Sequence, residues 1–278
     1  MDSLIKNKLA RLHDIIDSIG KAAVAFSGGA DSTFLLKVAY DRLGGGVTAV
    51  TVDSQLISPD EIAAARAFAA EEKINHVILS IDIFKNDDVI ANPPNRCYHC
   101  KLDVFSTIRE FAASKGIFHV LDGSNHDDRD DYRPGMRALR ELKIRSPLME
   151  AGFSKDEIRA AARDMGLSVW DKPANPCLAT RIPCGTAITK EMLETIYRAE
   201  QYLHELGFRS VRVRHHGNLA RIEVPADDRR LFLDGALSVK VAERFKSLGF
   251  IHITLDIEGY RMGSMNQRIA KEKDDGQG

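Results

Sequence analysis

Cys97-Tyr98-His99-Cys100 sets two thiols in a Cys-x-x-Cys spacing, directly after Asn92-Pro93-Pro94-Asn95. That spacing suits one edge of a zinc or iron–sulfur site, but two ligands complete neither. The other two cysteines, Cys177 and Cys184, lie in a later stretch rich in proline. Cys97, Cys100 and Cys177 together would hold a [4Fe–4S] cluster with one iron open to an outside ligand such as sulfide. All four would make a structural zinc site, and Cys97 with Cys100 alone a redox dithiol, although the flanks lack the strand-to-helix context of that motif. Four cysteines in 278 residues make no disulfide framework and are expected reduced.

A second chemistry is written in Ser27-Gly28-Gly29-Ala30-Asp31-Ser32. The apolar run Ala22 to Phe26 predicts a buried parallel strand, and Asp31-Ser32 can open a helix carrying Phe34, Leu35, Leu36 and Val38. A strand, a glycine turn and a helix N-terminus expose backbone N–H groups and the positive end of a dipole, which together bind phosphate. The Gly-Lys-Ser/Thr of a Walker loop is absent. Two further polar groups close predicted strands: Asp53-Ser54, and the run Asp122 to Asp128 with Gly123, Asn125 and Asp128. Strand ends of open α/β sheets are where ligands collect.

Arg212 and Arg214 alternate with Val211 and Val213, so both guanidiniums project from one face of a strand. Two such forks suit a phosphate or carboxylate, and a solvated strand face fits the same spacing. Glu200 and Glu223 either balance those charges or bind a cation. His215 and His216 read as turn residues.

The elements that must position these groups follow from periodicity. Leu4, Ile5, Leu9, Leu12, Ile15, Ile16 and Ile19 predict a leading amphipathic helix. Strands at Val47 to Val52, His76 to Ile81 and Gly116 to Leu121 alternate with helices from Ser58 and over Lys101 to Lys115. This predicts an α/β fold with a doubly wound parallel sheet and right-handed crossovers. A short basic helix over Arg133 to Leu142 and a better one over Ser154 to Met165, with Ser154 and Glu157 as a capping box, complete residues 1–170. Periodicity stops from Trp170 to Thr189, where three prolines rule out a long helix or central strand. Beyond that cysteine loop, a smaller α+β domain (171–270) is expected, with a hairpin turning at His216-Gly217-Asn218, followed by a disordered tail, 271–278. Net charge is −1 with 28% charged residues, so no global basic field points to nucleic acid. Without an apolar leader or long apolar run, a cytoplasmic, homo-oligomeric protein with no membrane partner is expected.

Ser27-Gly-Gly-Ala-Asp-Ser32 resembles the signature of the PP-loop ATP pyrophosphatases, which adenylate a substrate and release pyrophosphate. Together with Asn175-Pro-Cys-Leu-Ala-Thr-Arg-Ile-Pro183 and Val211-Arg-Val-Arg214, it resembles the LarE family over nearly the whole chain, to about Met265. The resemblance implies an ATP- and Mg²⁺-dependent sulfur transferase in nickel-pincer nucleotide biosynthesis, the cofactor of lactate racemase. A carboxylate of a pyridinium dicarboxylate mononucleotide would be adenylated, then attacked by sulfur. It implies ATP-binding roles for Ser27, Gly28, Gly29, Asp31, Ser32, Asp53, Ser54, Gly123, Asn125 and Asp128. Cys177 would be the sulfur nucleophile with Arg181 favouring its thiolate, Arg212 and Arg214 would hold substrate phosphate, and Glu200 and Glu223 a cation near Cys177. In the sacrificial version C–S cleavage leaves dehydroalanine at position 177. The Cys97-x-x-Cys100 pair departs from that pattern and resembles the subset in which three cysteines hold a [4Fe–4S] cluster, with sulfur resupplied by an outside donor or sulfide. That version is favoured here, and Cys184 has no assigned role. Alternatives are a tRNA thiolase and an amide ligase of the NAD-synthetase kind.

Overall fold

The computed structural model describes residues 2–128 and 134–261. The expected tail, 271–278, and Arg133 lie outside them. In chain order the elements are α1 (Ser3–Asp17), β1 (Ala22–Ala25), α2 (Ala30–Leu43), β2 (Val47–Asp53), α3 (Pro59–Glu71), β3 (Asn75–Ser80), α4 (Asp87–Ile90) and α5 (Arg96–Ser114). Then come β4 (His119–Leu121), α6 (Pro134–Glu141), α7 (Pro147–Ala151), α8 (Lys155–Asp164), α9 (Lys190–Glu205), β5 (Arg212–His216), β6 (Leu219–Glu223), α10 (Gly235–Ser247) and β7 (His252–Leu255). The chain divides into two compact units: Met1–Lys85 with Asn95–Asn175, and Asn86–Pro94 with Pro176–Gly278.

The first unit is the doubly wound sheet, in the order β3-β2-β1-β4, with every neighbour parallel. Alternation along β1 explains its two-sided core. Ala22 and Val24 face one side with Phe34, Leu35 and Leu36 of α2, Leu12 and Ile16 of α1 and Ile158 of α8. Ala23 faces the other with Phe105, Ile108 and Ala112 of α5 and Leu139 of α6. Burial on both faces is why these strands read as continuous apolar runs. Ser58 caps α3 with Pro59 in its first turn, and Ser154 and Glu157 form the expected capping box on α8.

Helix α5 begins earlier than the periodicity indicates, at Arg96 rather than Lys101. Cys97 and Cys100 therefore lie in its first turns, i and i+3 on one face, and not in a loop before it. Tyr98 helps to hold that turn, donating to Glu141 Oε2 of α6 at 2.7 Å beneath the Arg137 guanidinium.

In the second unit, β5 and β6 form the expected antiparallel hairpin, with Gly217 at φ 63° in its turn. Strand β7 adds to β6 in parallel. Leu203 of α9, Phe245 of α10, and Val213 and Ile222 of the hairpin share its core. Asn92 ties the short α4 segment to this unit, donating from Nδ2 to the carbonyls of Pro183 at 2.8 Å and Thr186 at 3.1 Å.

Candidate functional site

The phosphate loop is built at the C-terminal end of β1, the position strand order and hydrophobicity both dictate. Gly28 takes φ +70°, a conformation that favours glycine, and reverses the chain before α2. Ser32 closes the loop on itself: its Oγ accepts from the Ser27 N–H at 3.3 Å, lies 3.1 Å from Ser27 Oγ and donates to the Gly29 carbonyl at 3.2 Å. Ala30 and Asp31 open α2, so its first N–H groups sit at the loop.

The second polar cluster converges on the same loop because β4 pairs with β1. Gly123 packs so tightly that a Cβ there would lie 3.0 Å from Ser32 N and 3.1 Å from its Cα. Asn125 donates from Nδ2 to Asp31 Oδ2 at 3.0 Å, and its own N–H donates to Asp128 Oδ2 at 2.9 Å. Asp31 Oδ1 is buried without a hydrogen-bond partner. Burial raises the Asp31 pKa, with Lys155, the Asn125 bond and Arg159 pulling the other way. Asp53 and Ser54 close β2, the strand beside β1 on its other side. Sequence reasoning passed over Ser146, whose hydroxyl donates to Asp122 Oδ1 while Ser124 donates to Oδ2 at 2.5 Å. It also gave no role to Lys172, whose Nζ donates to the Gly28 carbonyl at 2.9 Å.

In the second unit, Cys177 precedes a 3₁₀ turn, Leu178–Arg181, with its thiol partly exposed and in no disulfide. Arg181 is completely buried. It donates from Nε and Nη2 to both oxygens of Glu200, at 2.9 and 2.8 Å, and from Nη1 to the carbonyls of Pro176 at 2.5 Å and Cys177 at 3.2 Å. Thr180, another residue without an assigned role from sequence, donates its hydroxyl to the Cys177 carbonyl at 2.8 Å. Arg181 thus acts on the backbone that carries the cysteine.

The Arg212 and Arg214 face is buried rather than solvated. Arg214 donates to Glu223 at 2.6 Å and to the Thr180 carbonyl at 3.0 Å, while the Arg212 guanidinium lies 5.1 Å from the Tyr260 ring centroid. Burial, then repulsion from Arg181, lowers the Arg212 pKa. Glu200 also accepts the Val213 N–H at 2.8 Å, and Glu223 accepts from Arg221 at 3.0 Å. Glu200 thus faces Arg181, outside the expected pair Arg212 and Arg214, and Glu223 faces Arg214. Burial lowers the pKa of His215 and His216 on the same hairpin.

Cys97 and Cys184 are exposed, Cys100 and Cys177 partly so, and none of the four is in a disulfide. Cys184 lies 3.5 Å from the Asn92 carbonyl. Among the described residues no group of three or more His, Cys, Asp or Glu gathers to hold a metal ion, and no helix is long and apolar enough to cross a membrane.

A parallel sheet whose first strand ends in Ser-Gly-Gly-x-Asp-Ser, with a second polar loop packed on it, defines an ATP-dependent enzyme of the PP-loop class. Residues 21–90 match the family described as queuosine biosynthesis protein QueC. Pyridinium-3,5-bisthiocarboxylic acid mononucleotide synthase of Lactiplantibacillus plantarum is 39% identical over 268 residues, covering 96% of this chain and 96% of its own. An uncharacterized protein of Synechocystis is 41% identical over 96% of this chain and 100% of its own length. A tRNA-specific 2-thiouridylase MnmA, from Herpetosiphon aurantiacus, is 29% identical over 56% of this chain and 54% of its own. The chain belongs to the LarE family of ATP-dependent PP-loop sulfur transferases.

Proposed function

We propose that this enzyme uses ATP to adenylate a carboxylate of a pyridinium dicarboxylate mononucleotide and converts it to a thiocarboxylate, a step in nickel-pincer nucleotide synthesis. One observation carries the reading: a self-closed phosphate loop stands in the first unit, and a partly exposed cysteine, in no disulfide, stands on a clamped 3₁₀ turn in the second. Near-full-length similarity to the Lactiplantibacillus synthase supports the substrate class. A tRNA substrate has less support, since the thiouridylase match covers 56% of this chain and net charge is −1.

In the first step a substrate carboxylate oxygen attacks Pα of ATP, and pyrophosphate leaves with the bonding electron pair. Loop N–H groups of residues 27–32 and the start of α2 hold the phosphates. The buried, unpartnered Asp31 Oδ1 is an oxygen donor that fits the Mg²⁺ of the nucleotide complex, with Asp128 beside it. Adenylation replaces a poor leaving group by AMP, so a sulfur nucleophile can attack the acyl carbon and expel AMP. Arg212 and Arg214 are proposed to contact substrate phosphate from their buried strand, with Glu223 holding the charge of Arg214 in place and Glu200 that of Arg181, and the two glutamates are the cation candidates.

Sulfur comes from Cys177 or from sulfide. Cys97 and Cys100, in no disulfide and one turn apart on α5, would supply two thiolates of a [4Fe–4S] cluster, with Cys177 as the third. Such a cluster, when bound, supplies a sulfide on its open iron. In the alternative route, Cys177 forms the acyl thioester, and removal of its α proton breaks Cβ–Sγ. The product keeps the sulfur, and dehydroalanine remains. Anaerobic purification with iron and sulfide analysis, and intact mass before and after turnover, separates the two. A loss of about 34 Da at Cys177, one H₂S, marks the sacrificial route; bound iron with unchanged mass over many turnovers marks the cluster route. Cys177→Ala that still forms thiocarboxylate at the wild-type rate would refute both. Cytoplasmic location, homo-oligomeric assembly and an external sulfur donor belong to the same reading.

A further inference from the structure

Lys172 reaches the phosphate loop from 144 residues away in sequence. Its ammonium donates to the carbonyl of Gly28, and among the described residues no carboxylate lies within ion-pair distance of it. A cation kept only for loop stability would be expected to face an acidic partner; a single neutral carbonyl leaves most of its charge unanswered.

Its approach is also built from behind. Arg159, on α8, donates from Nη1 to the Trp170 carbonyl at 3.1 Å and from Nη2 to the Lys172 carbonyl at 2.7 Å. Arg163, one turn on, lies with its guanidinium 5.6 Å from the Trp170 ring centroid. The Lys172 N–H itself bonds the Val169 carbonyl at 3.1 Å. The 3₁₀ turn Ser168–Asp171 is thereby strapped to α8, and the next residue is aimed back at the loop. Lys155 and Arg159 both act electrostatically on Asp31, so positive charge collects around the loop.

We propose that Lys172 is a phosphate-contacting residue of the nucleotide site, binding the β and γ phosphates that leave as pyrophosphate, and that Arg159 is its positioning residue. This rests on the adenylation reading above. As Pα–O breaks, the electron pair and its charge pass to the leaving pyrophosphate, and the Lys172 ammonium neutralises that charge without giving up a proton. The contact to Gly28 is exchanged for phosphate oxygens when ATP enters. AMP, lacking those phosphates, gains nothing from Lys172.

The test uses the full chain and two probes, magnesium pyrophosphate and AMP, with binding measured by calorimetry. Lys172→Ala is expected to weaken pyrophosphate binding at least roughly tenfold, the loss of one charge-assisted contact, with AMP affinity unchanged. Lys172→Arg is expected to recover most of it. Arg159→Gln is expected to weaken pyrophosphate less than Lys172→Ala does. In turnover, Lys172→Ala is expected to slow pyrophosphate release by a similar factor. Equal pyrophosphate affinity in wild type and Lys172→Ala would overturn the proposal, as would a parallel loss of AMP and pyrophosphate binding with a lowered melting temperature. Wild-type protein that binds pyrophosphate through Lys172 but never releases it from ATP would uphold the contact and overturn the adenylation reading instead.

Discussion

Replacing Glu200 by Gln tests whether the cysteine loop hangs on a buried ion pair. Arg181 is 0% exposed and Glu200 6%, so neither charge has water to fall back on. Gln keeps an oxygen for the Val213 N–H, now 2.8 Å from Glu200 Oε1, so the change isolates the charge. Leaving one member of a buried pair alone costs about 3–5 kcal/mol, a large share of a total near 5–15 kcal/mol. In urea, with a slope of about 1–3 kcal/mol per molar, the midpoint of the second unit should fall by at least roughly 1 M. Glu200→Ala also strands the Val213 N–H and should cost about 1–3 kcal/mol more. The double variant Arg181→Met/Glu200→Gln removes both charges, and its stability should return to within about 1–2 kcal/mol of wild type. Its sulfur transfer should not return, because the carbonyls of Pro176 and Cys177 have lost their guanidinium. Pyrophosphate release from ATP, a property of the first unit, should persist. A Glu200→Gln midpoint equal to wild type would refute the buried-pair argument. A double variant with full sulfur transfer would refute the positioning role of Arg181.

Gly28→Ala should cost about 1–2 kcal/mol from backbone strain alone, because φ is +70° while a new Cβ would sit at an ordinary 3.5 Å from Ala65; thermal unfolding measures it. Gly123→Ala meets the Ser32 backbone at 3.0 Å, so the phosphate loop must shift by tenths of an ångström; KM for ATP should rise roughly tenfold, about 1.4 kcal/mol, with a smaller change in melting temperature. Asp31 carries a raised pKa from burial, so its contribution to stability is full below the unfolded aspartate value and is lost as pH rises through the folded one. Asp31→Asn should therefore melt higher than wild type at neutral pH without nucleotide, with the gap closing in acid; a gap constant across pH would contradict this, and adenylation should fall in the same variant.

Much of the first unit was legible because local and global signals agree there. The run Ala22 to Phe26 is apolar on both faces, the glycines after it are needed for the turn, and the helix opened by Ala30 packs Phe34 to Leu36 straight back onto the strand. The convergence of Gly123, Asn125 and Asp128 on that loop needed only the rule that functional groups gather at strand ends, plus the pairing of β4 with β1. The start of α5 was less legible. Arg-Cys-Tyr-His-Cys has no strong helix formers beyond arginine and follows two prolines, and it is helical because Tyr98 packs through Glu141 and Arg137 onto α6.

The buried charges of the second unit were the least legible, for a physical reason. Spacing along a strand fixes which side chains share a face, but which carboxylate meets which guanidinium is decided by helix α9 and the hairpin partner. Arg212 and Arg214 share a face, Arg214 pairs with Glu223, and Glu200 pairs with Arg181. That choice changes the chemistry of the cysteine segment. The arginine nearest Cys177 in sequence fixes the backbone carbonyls on either side of the Pro176–Cys177 junction, and it does so only while Glu200 neutralises it. The backbone that carries the thiol is thus held through a carboxylate 23 residues downstream, on an element that periodicity reads as an ordinary amphipathic helix.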